Sequence, residues 1–248
     1  MTEPRAIIAV TGGNRGIGAA IVSRLLQRGH TVALLSREGR VPVGQDLLPA
    51  AHGRLFAYAC DITAAGSARQ AFARIAADGF RLAGLVNNAG IHMEGPSDSF
   101  TSADFDMVLL TNASGTFATC REAFPHLAVD GGLIINIGSF FDRLGVKGNA
   151  AYCASKAAIG AITRCLAVEW AAQGIRVLDV APGPIETDLN RAALKEGGLG
   201  RYLAKRNPTG GAGQPEHVAR LVGSLFDADS AFLTGETIYI DGGQGIAH

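Results

Sequence analysis

The sequence predicts an α/β fold in which one doubly wound, parallel sheet of about seven strands is covered by helices on both faces. Short apolar runs of strand length alternate with longer segments of helical period along the 248 residues. The runs AIIAV, VALL and LIINI are apolar throughout instead of alternating, as expected for strands that are covered on both faces. The sequence contains no linker, repeat or low-complexity segment between these elements, so we expect one domain, residues 1–248.

The individual elements follow from these two patterns. The predicted strands are apolar runs at 6–10, 31–35, 54–59, 83–87, 132–138, 175–180 and 236–240. The predicted helices lie at 16–28, 64–78, 101–127, 151–173 and 216–227. Strands that alternate with helices in this way form βαβ units, and such units build a parallel sheet.

The turn after the first strand is rich in glycine. Gly12, Gly16 and Gly18 lie in TGGNRGIG, between strand 6–10 and helix 16–28. Glycine lets main-chain N–H groups approach a pyrophosphate closely, and the N-terminus of a helix carries partial positive charge. A strand, a glycine-rich turn and a helix in this order indicate a dinucleotide site. The alternative is a glycine-rich βα turn that binds nothing.

A second group of polar residues lies in the middle of the chain. Ser139 ends the apolar run LIINIGS, and Tyr152 and Lys156 follow it in YCASK. Four residues make about one helical turn, so Tyr152 and Lys156 project from one face of a helix. Ser139 follows a strand, at the end where open α/β sheets bind ligands. A hydroxyl, a phenol and an ammonium that converge there suit proton transfer to a carbonyl oxygen, because a neighbouring cation stabilises the phenolate. The alternative is an amphipathic helix with a Tyr and a Lys by chance.

Seven short motifs, spread over residues 6–243, together resemble the short-chain dehydrogenase/reductase family, in particular its 3-oxoacyl-acyl-carrier-protein reductases. The motifs are TGGNRGIG at 11–18, Asp61 in CDI, NNAG at 87–90, Asn112 in LLTNASG, Ser139, YCASK at 152–156 and PGPIET at 182–187. The resemblance implies a Rossmann-type fold and an oxidoreductase. It also implies that Asn112, Ser139, Tyr152 and Lys156 are the catalytic residues.

The resemblance also implies a role for each of these residues. Ser139 holds the substrate carbonyl, Tyr152 donates or removes the proton, and Lys156 binds the nicotinamide ribose and supports Tyr152. Asn112 bends its helix locally and holds a water that relays protons from Lys156 to solvent. The alternative for Asn112 is a hydrogen-bonded core residue.

The end of the second strand favours NADP(H) over NAD(H). Enzymes of this type that prefer NAD usually carry an acidic residue there, which bonds the ribose 2′-OH. VALLSR ends instead in Ser36 and Arg37, and Arg15 lies in the glycine-rich turn. Guanidinium groups donate two parallel hydrogen bonds to phosphate, so these residues suit a 2′-phosphate. Alternatively, Arg37 only solvates the strand end.

Other contacts to the cofactor follow from the resemblance. Asp61 matches an acid that contacts adenine, Asn88 a residue that braces the central strands, and Thr187 a residue that bonds the nicotinamide amide. The residues expected to contact the cofactor are Gly12, Asn14, Arg15, Gly16, Ile17, Gly18, Ser36, Arg37, Asp61, Ile62, Asn88, Ala89, Gly90, Tyr152, Lys156, Pro182, Gly183, Ile185 and Thr187.

The substrate pocket is expected between the segments after Ser139 and after NNAG. Residues 188–215, which combine six glycines with scattered leucines, read either as a loose surface loop or as a lid over that pocket. The principal substrate contacts are expected from Ser139, Phe140, Phe141, His92, Leu189 and Tyr202, with Leu144, Val146, Asn149, Met93, Glu94 and Leu194 as further pocket walls. The two phenylalanines suggest an apolar or aromatic substrate, although either can be a core residue.

Three functions remain open at this point. A reductase or dehydrogenase for a small carbonyl or alcohol is favoured. A 3-oxoacyl-acyl-carrier-protein reductase is the alternative. Such enzymes commonly present basic residues to the acidic carrier where this chain has Asp130 and Gln173, so electrostatic steering of a carrier should be poor. A non-catalytic nucleotide-binding regulator is disfavoured because all four catalytic residues are present.

Composition and charge limit the partners. The formal net charge is zero and the pI is about 7, which argues against a nucleic-acid surface or a basic membrane-binding patch. No apolar run approaches the roughly 20 residues that a bilayer span requires. The cysteines lack CxxC spacing and the histidines show no paired spacing, so we expect reduced thiols, a cytoplasmic protein and no metal.

We also expect a homotetramer, or at least a homodimer. Helices 101–127 and 151–173 carry small or apolar residues on more than one face. A single sheet cannot cover all of these faces. The family commonly pairs these helices across a two-fold axis, and small residues allow the close approach that such a contact needs.

Overall fold

The expected α/β fold is confirmed. A computed structural model of the chain describes residues 4–41, 51, 53–187, 191–196, 198–227 and 230–247. The described strands are β1 (Arg5–Thr11), β2 (Val32–Ser36), β3 (Leu55–Ala59), β4 (Phe80–Asn87), β5 (Gly132–Ile137), β6 (Ile175–Pro182) and β7 (Thr237–Ile240). They form one sheet in the order β3-β2-β1-β4-β5-β6-β7, and every pairing is parallel. The order reverses between β1 and β4, which is where sheets of this kind bind ligands.

Helices lie on both faces of this sheet. The described α-helices are α1 (Gly16–Gln27), α2 (Ser67–Ala77), α3 (Ser102–Leu109), α4 (Gly115–Leu127), α5 (Ala150–Trp170), α6 (Arg191–Glu196), α7 (Gly198–Arg206) and α8 (Pro215–Asp227). A π-helical turn covers Leu110–Ser114, and 3₁₀ turns cover Phe140–Arg143, Ala171–Gln173 and Gln244–Ile246.

Two apolar clusters, one on each face of the sheet, form the core. One cluster joins α2, α4 and α5 to the sheet through residues such as Phe72, Leu127 and Leu166. The other joins α1 and α8 through residues such as Leu25 and Val222. Both faces of the central strands are therefore covered, which explains their uninterrupted apolar runs.

One row of residues across the sheet is polar instead of apolar. Parallel register aligns Thr11, Asn87, Asn136, Asp179 and Thr237 on five neighbouring strands. Thr11 and Asn87 are the last residues of β1 and β4, whereas Thr237 is the first residue of β7. Asn87 donates from Nδ2 to Oδ1 of Asn136 at 2.9 Å, so two members of this row satisfy each other. The row lies directly beneath the edge at which the candidate site is built.

The structure changes the predicted elements in three places. The expected helix 101–127 contains the π-helical turn. The expected helix 64–78 begins only at Ser67, because Gly66 takes a left-handed φ of 77° that interrupts a helix. Strand β4 begins at Phe80 instead of residue 83, because its first residues pair with β1.

The cysteines and the helix lengths agree with the expected environment without establishing it. The four cysteines, all within the described residues, are free thiols. Burial raises the pKa of the Cys60 thiol to about 11, which keeps this thiol protonated at neutral pH. Among the helices described above, none combines the length and the hydropathy needed to cross a membrane.

Candidate active site

Ser139, Tyr152 and Lys156 meet at the carboxyl end of β5. Ser139 follows the strand and is the N-cap of the 3₁₀ turn, where its Oγ accepts a hydrogen bond from the Phe141 N–H at 3.3 Å. Lys156 is 7% exposed, and its Nζ donates to the Ile137 carbonyl at 2.8 Å. The same Nζ lies 5.6 Å from the centroid of the Tyr152 ring. The end of one strand and the first turns of α5 thus bring a hydroxyl, an ammonium and a phenol together.

Aromatic rings enclose Tyr152 on two sides. The His92 ring packs edge-on against it with centroids 4.6 Å apart, and the Phe141 ring does so at 5.8 Å. His92 also shares a 2.5 Å hydrogen bond between its Nε2 and Oδ1 of Asn149. Phe140 packs on Phe141 but is buried itself, so Phe141 is the phenylalanine that faces Tyr152.

Asn112 occupies the middle of the π-helical turn, as its expected effect on the helix requires. Its Oδ1 accepts from the Ile91 N–H at 2.8 Å, and its Nδ2 donates to the Ile91 carbonyl and to Ser155 Oγ at 2.9 and 3.0 Å. Both N–H bonds of the amide are therefore used within the protein. The Asn112 side chain thus links the segment after NNAG to Ser155 on α5, one residue before Lys156. The main-chain carbonyl of Asn112 accepts from Thr116 Oγ1 at 2.7 Å.

The glycine-rich turn is packed tightly against the NNAG segment. A Cβ on Gly18 would lie 2.2 Å from the Gly12 carbonyl oxygen, so any side chain there would clash with the turn. Asn88 donates from Nδ2 to the carbonyls of Thr11 and Gly12 at 3.1 and 3.2 Å. Thr11 Oγ1 accepts from the main-chain N–H groups of Asn88 and Ala89 at 3.0 and 3.1 Å. These hydrogen bonds link the NNAG segment to the end of β1 and to the glycine-rich turn.

The N-terminus of α1 fits a phosphate group. Arg15 is the N-cap residue of α1, and its main chain is extended. Its side chain makes no capping hydrogen bond, so Arg15 leaves the first N–H groups of the helix uncapped by its side chain. Gly16 has a φ of 53°, and a Cβ there would lie 3.7 Å from Thr187 Cγ2. The loop after β6 thus comes back beside the glycine-rich turn.

The end of β2 carries the residues expected to select the cofactor. Ser36 is buried, and its Oγ accepts from the Gly39 N–H at 3.2 Å. Arg37 and Arg15 are exposed. Asp61, after β3, has a lowered pKa because Thr63 donates to its Oδ1, with a smaller contribution from the positive charge of Arg37. Arg37 and Asp61 thus lie on neighbouring loops of this edge.

Other expected cofactor residues line the same edge. Ile185 is buried and forms a β-bridge with Gly213, and Gly183 approaches Asp241 so closely that a Cβ would lie 2.6 Å from its Cα. Ile62 packs within 3.0 Å of the position that a Cβ on Gly115 would take. Other expected residues lie at the carboxyl ends of β1, β4 and β6: Asn14 and Gly90 lie in the loops after β1 and β4, Ile17 in the first turn of α1, and Pro182 at the end of β6.

The expected lid is partly helical. Its described part contains α6 and α7, so it is not a loose loop. Leu203 is buried against the molecule, whereas Tyr202 is 56% exposed. The rings that pack against Tyr152 among the described residues are those of His92 and Phe141, and Tyr202 is not one of them. Leu189 lies outside the described residues.

Sequence reasoning missed two groups near the site. Asp179 lies within VLDVA, which we interpreted as an apolar strand, yet it is fully buried. Tyr239 donates to Asp142 at 2.7 Å and carries the Arg143 guanidinium 3.6 Å above its ring, which ties β7 to the 3₁₀ turn after Ser139. The signal for Asp179 was a lone charge inside a buried strand. No local pattern signalled the contact with Tyr239, because its partners are almost a hundred residues away.

Comparison with protein families and with characterised proteins places the chain among oxidoreductases. A family model described as enoyl-(acyl carrier protein) reductase matches residues 12–244. Carbonyl reductase family member 4 of Danio rerio is 38% identical over 242 residues, which cover 96% of this chain and 97% of that protein. The 3-oxoacyl-[acyl-carrier-protein] reductase MabA of Mycobacterium tuberculosis is 34% identical over 245 residues, which cover 97% and 93%.

A solved structure agrees over the whole chain. The crystal structure of a gluconate 5-dehydrogenase from Burkholderia cenocepacia, in complex with NADP and tartrate, superposes with a TM-score of 0.91 and 29% identity. The match covers 100% of this chain and 97% of the other. The strand order and the edge that carries Ser139 are therefore those of an oxidoreductase fold.

Proposed function

Because the chain belongs to the short-chain dehydrogenase/reductase family, we propose that it is an NADP(H)-dependent oxidoreductase acting on a carbonyl or secondary alcohol group of a small molecule. The observation that carries the proposal is the meeting of Ser139, Tyr152 and Lys156 at the end of β5. When bound, the nicotinamide cofactor supplies or accepts the hydride. The chain's own residues hold the substrate and move its proton.

Each of these three residues has a role that its surroundings support. Ser139 orients the carbonyl oxygen with its hydroxyl, whose Oγ already accepts one hydrogen bond from Phe141. Tyr152 donates the proton to that oxygen during reduction and removes it during oxidation. Lys156 stabilises the phenolate form of Tyr152 through its positive charge. Its ammonium retains N–H bonds for the ribose hydroxyls beyond the one donated to Ile137.

Asn112 completes the catalytic group in this proposal. Its amide is engaged with Ile91 and Ser155, so it fixes the position of α5 beside Lys156. In this proposal Asn112 also holds the water that passes protons between Lys156 and solvent. The π-helical turn widens the helix at Asn112, as such turns often do at functional sites.

The preference for NADP(H) rests on the end of β2. No carboxylate occupies this end, and Ser36 together with the guanidinium groups of Arg37 and Arg15 offers donors for a 2′-phosphate. Asp61 lies close enough to Arg37 for its pKa to be lowered by it, so the carboxylate also orients this guanidinium. The NADP in the gluconate 5-dehydrogenase complex supports the same cofactor for this chain.

The substrate site in this proposal lies beside Tyr152, between His92, Phe141 and Asn149, and residues 188–215 form the lid over it within a single domain. A ring on either side of Tyr152 favours a small substrate with an apolar part. The polar pair of His92 and Asn149 favours a second oxygen near the reacting carbon, because its hydrogen-bonding groups lie within reach of the phenol.

A 3-oxoacyl-acyl-carrier-protein reductase is the second candidate, favoured by the family model and by the similarity to MabA. Asp130 and Gln173 stand where a basic landing site would be needed. Asp130 is paired with Arg81 at 3.5 Å, which supports a local charge that is neutral and not basic. Asp130 precedes β5 and Gln173 precedes β6, so both lie at the amino ends of these strands; the six residues of β5 put roughly 20 Å between this end and Ser139.

The decisive experiment measures NADPH consumption against matched substrates. Small ketones, hydroxyketones and 3-oxoacyl groups are compared, the last both as a short thioester and on carrier protein. We expect turnover of free ketones and no gain when the acyl group is mounted on the carrier. A tenfold or greater preference for the carrier-bound form would replace the first candidate with the second.

Tyr152→Phe is the control for the assigned chemistry. Only the proton donor is removed, so turnover should fall by roughly 10²–10⁴-fold while NADPH still binds, as followed by its fluorescence. A variant that keeps more than about a tenth of the wild-type kcat contradicts the assignment of Tyr152.

A further inference from the structure

A buried carboxyl group lies beneath the candidate site and has no part in the mechanism above. Asp179, in β6, is 0% exposed and stands in the polar row between Asn136 and Thr237. A carboxylate in such a position is costly, since burial disfavours its charged form. An apolar or small residue would fill a strand position of this kind without that cost, so its presence needs a reason.

The protein is shaped around this carboxyl group. Its Oδ2 accepts from Thr237 Oγ1 at 3.2 Å, whereas Oδ1 is buried with no hydrogen-bond partner among the described residues. A Cβ on Gly138 would lie 2.3 Å from Oδ1, and a Cβ on Gly160 would lie 3.9 Å from Oδ2. Gly138, directly before Ser139, leaves the space that Asp179 fills, whereas the Cβ position of Gly160, a single turn after Lys156, lies at ordinary contact distance from Oδ2.

The charges around Asp179 come from three elements. From α5, Lys156 lowers the pKa of Asp179, and Arg164 brings its Nη1 to 3.3 Å from the Cβ position of Gly160. From the 3₁₀ turn, Asp142 raises this pKa, and from β7 the phenol of Tyr239 lies within electrostatic range. Burial is the largest cause of the net result, a pKa raised to about 6. The carboxyl group is therefore mostly ionised at neutral pH, and Lys156 is the cation that favours its charged form.

Lys156 needs such a partner. It is 7% exposed, and its hydrogen bond among the described residues goes to a neutral acceptor, the Ile137 carbonyl. A buried ammonium is stable only when it is paired with opposite charge and hydrogen-bonded. Asp179 brings a carboxylate near this ammonium: its Oδ1 lies 2.3 Å from the Cβ position of Gly138, the neighbour of Ile137, and the charge of Lys156 lowers the pKa of Asp179.

We propose that Asp179 is a positioning residue whose buried carboxylate acts on the Lys156 ammonium through its charge, without direct contact, at the end of β5 beside Ser139 and Tyr152. The inference rests on the proposed function, in which Lys156 supports proton transfer by Tyr152. Asp179 touches neither substrate nor cofactor. It acts through Lys156, and it loses this effect when it becomes protonated.

The test uses the four lysines of the chain as probes: Lys147, Lys156, Lys195 and Lys205. Labelling with [13Cε]lysine gives few NMR signals, and Lys156→Met identifies the one that matters. We expect the Lys156 signal to change in a step near pH 6 as Asp179 ionises. Absence of any step between about pH 5 and 7 overturns the inference without any variant of Asp179.

Two variants separate charge from structure. Asp179→Asn keeps the shape and removes the charge, and Thr237→Val removes the hydrogen bond but keeps the carboxylate. Asp179→Asn should lose the step and lower kcat at pH 8 about tenfold, because a displaced catalytic group is costly. Thr237→Val should keep both. A step that survives in Asp179→Asn belongs to another group and refutes the proposal.

The same measurements separate this inference from the proposed function. If the wild-type protein reduces none of the ketones but the step is present and depends on Asp179, the coupling of Asp179 to Lys156 stands and the proposed function fails. If ketones are reduced and Asp179→Asn matches the wild-type kcat at every pH, the inference fails and the proposed function stands.

Discussion

Replacing Asp179 by Asn should stabilise the protein, increasingly so as the pH rises. The folded state holds the Asp179 carboxyl at a pKa of about 6, above the 3.8 of the unfolded chain, chiefly because it is buried. Between these two values the unfolded chain releases the proton while the folded protein keeps it. The stability that the neutral carboxyl contributes is therefore complete at low pH and is lost as the pH rises through about 6. Asparagine has no proton to lose.

The size of the effect follows from the two pKa values. A difference of about two pKa units, at about 1.4 kcal/mol each, gives roughly 3 kcal/mol above pH 7. About 1 kcal/mol of this is already present at pH 4.5, so the advantage of Asp179→Asn over wild type should grow by about 2 kcal/mol between pH 4.5 and 7.5.

Urea unfolding at both pH values, followed by circular dichroism, measures this difference. Asp130→Asn is the matched control, because Asp130 is largely exposed and should show no comparable growth with pH. If the gap between Asp179→Asn and wild type is the same at the two pH values within about 0.5 kcal/mol, Asp179 does not titrate as argued. A gain in stability joined to a loss of turnover would mark Asp179 as retained for function.

Two further predictions concern the cofactor and the assembly. Arg37→Ala should raise the KM for NADPH about tenfold or more and leave the KM for NADH nearly unchanged, since a charged hydrogen bond is worth about 1.5–3 kcal/mol. Steady-state assays with both cofactors measure this difference. Equal effects on the two KM values would show that Arg37 does not bind the 2′-phosphate. The chain should form a homotetramer or homodimer, because the apolar side chains of Phe117 on α4 and Val168 on α5 are 42% and 81% exposed. A light-scattering mass near 25.6 kDa at micromolar concentration, which is the mass of one chain, would exclude such an assembly.

Local patterns in the sequence were sufficient for the elements and for the main site residues. Strands covered on both faces must be apolar throughout, so AIIAV and LIINI identified β1 and β5. Spacing of four residues on a helix placed Tyr152 and Lys156 on one face, and their order after Ser139 implied that the three meet. These inferences depend on residues that lie close together in the sequence. The spacing of apolar and polar residues is enough to reveal such local interactions.

Contacts between distant segments were decided only by the tertiary structure. Sheet register, which no local pattern encodes, puts Asp179 between Asn136 and Thr237. The bonds of Asn112 to Ile91 depend on how α3 and α4 approach the end of β4, and they require the π-helical turn that a uniform helical period concealed.

The sequence by itself thus determined a parallel α/β sheet with a Ser, a Tyr and a Lys at one edge. The fold alone decided what lies under that edge. In the sequence, a charged residue within an apolar run is simply an exception to the pattern. The free-energy cost of that charge depends on its burial and on neighbours far along the chain, which the local pattern does not contain. Only packing reveals that Gly138 makes room for Asp179, and that the charge of Lys156 acts on this carboxyl group.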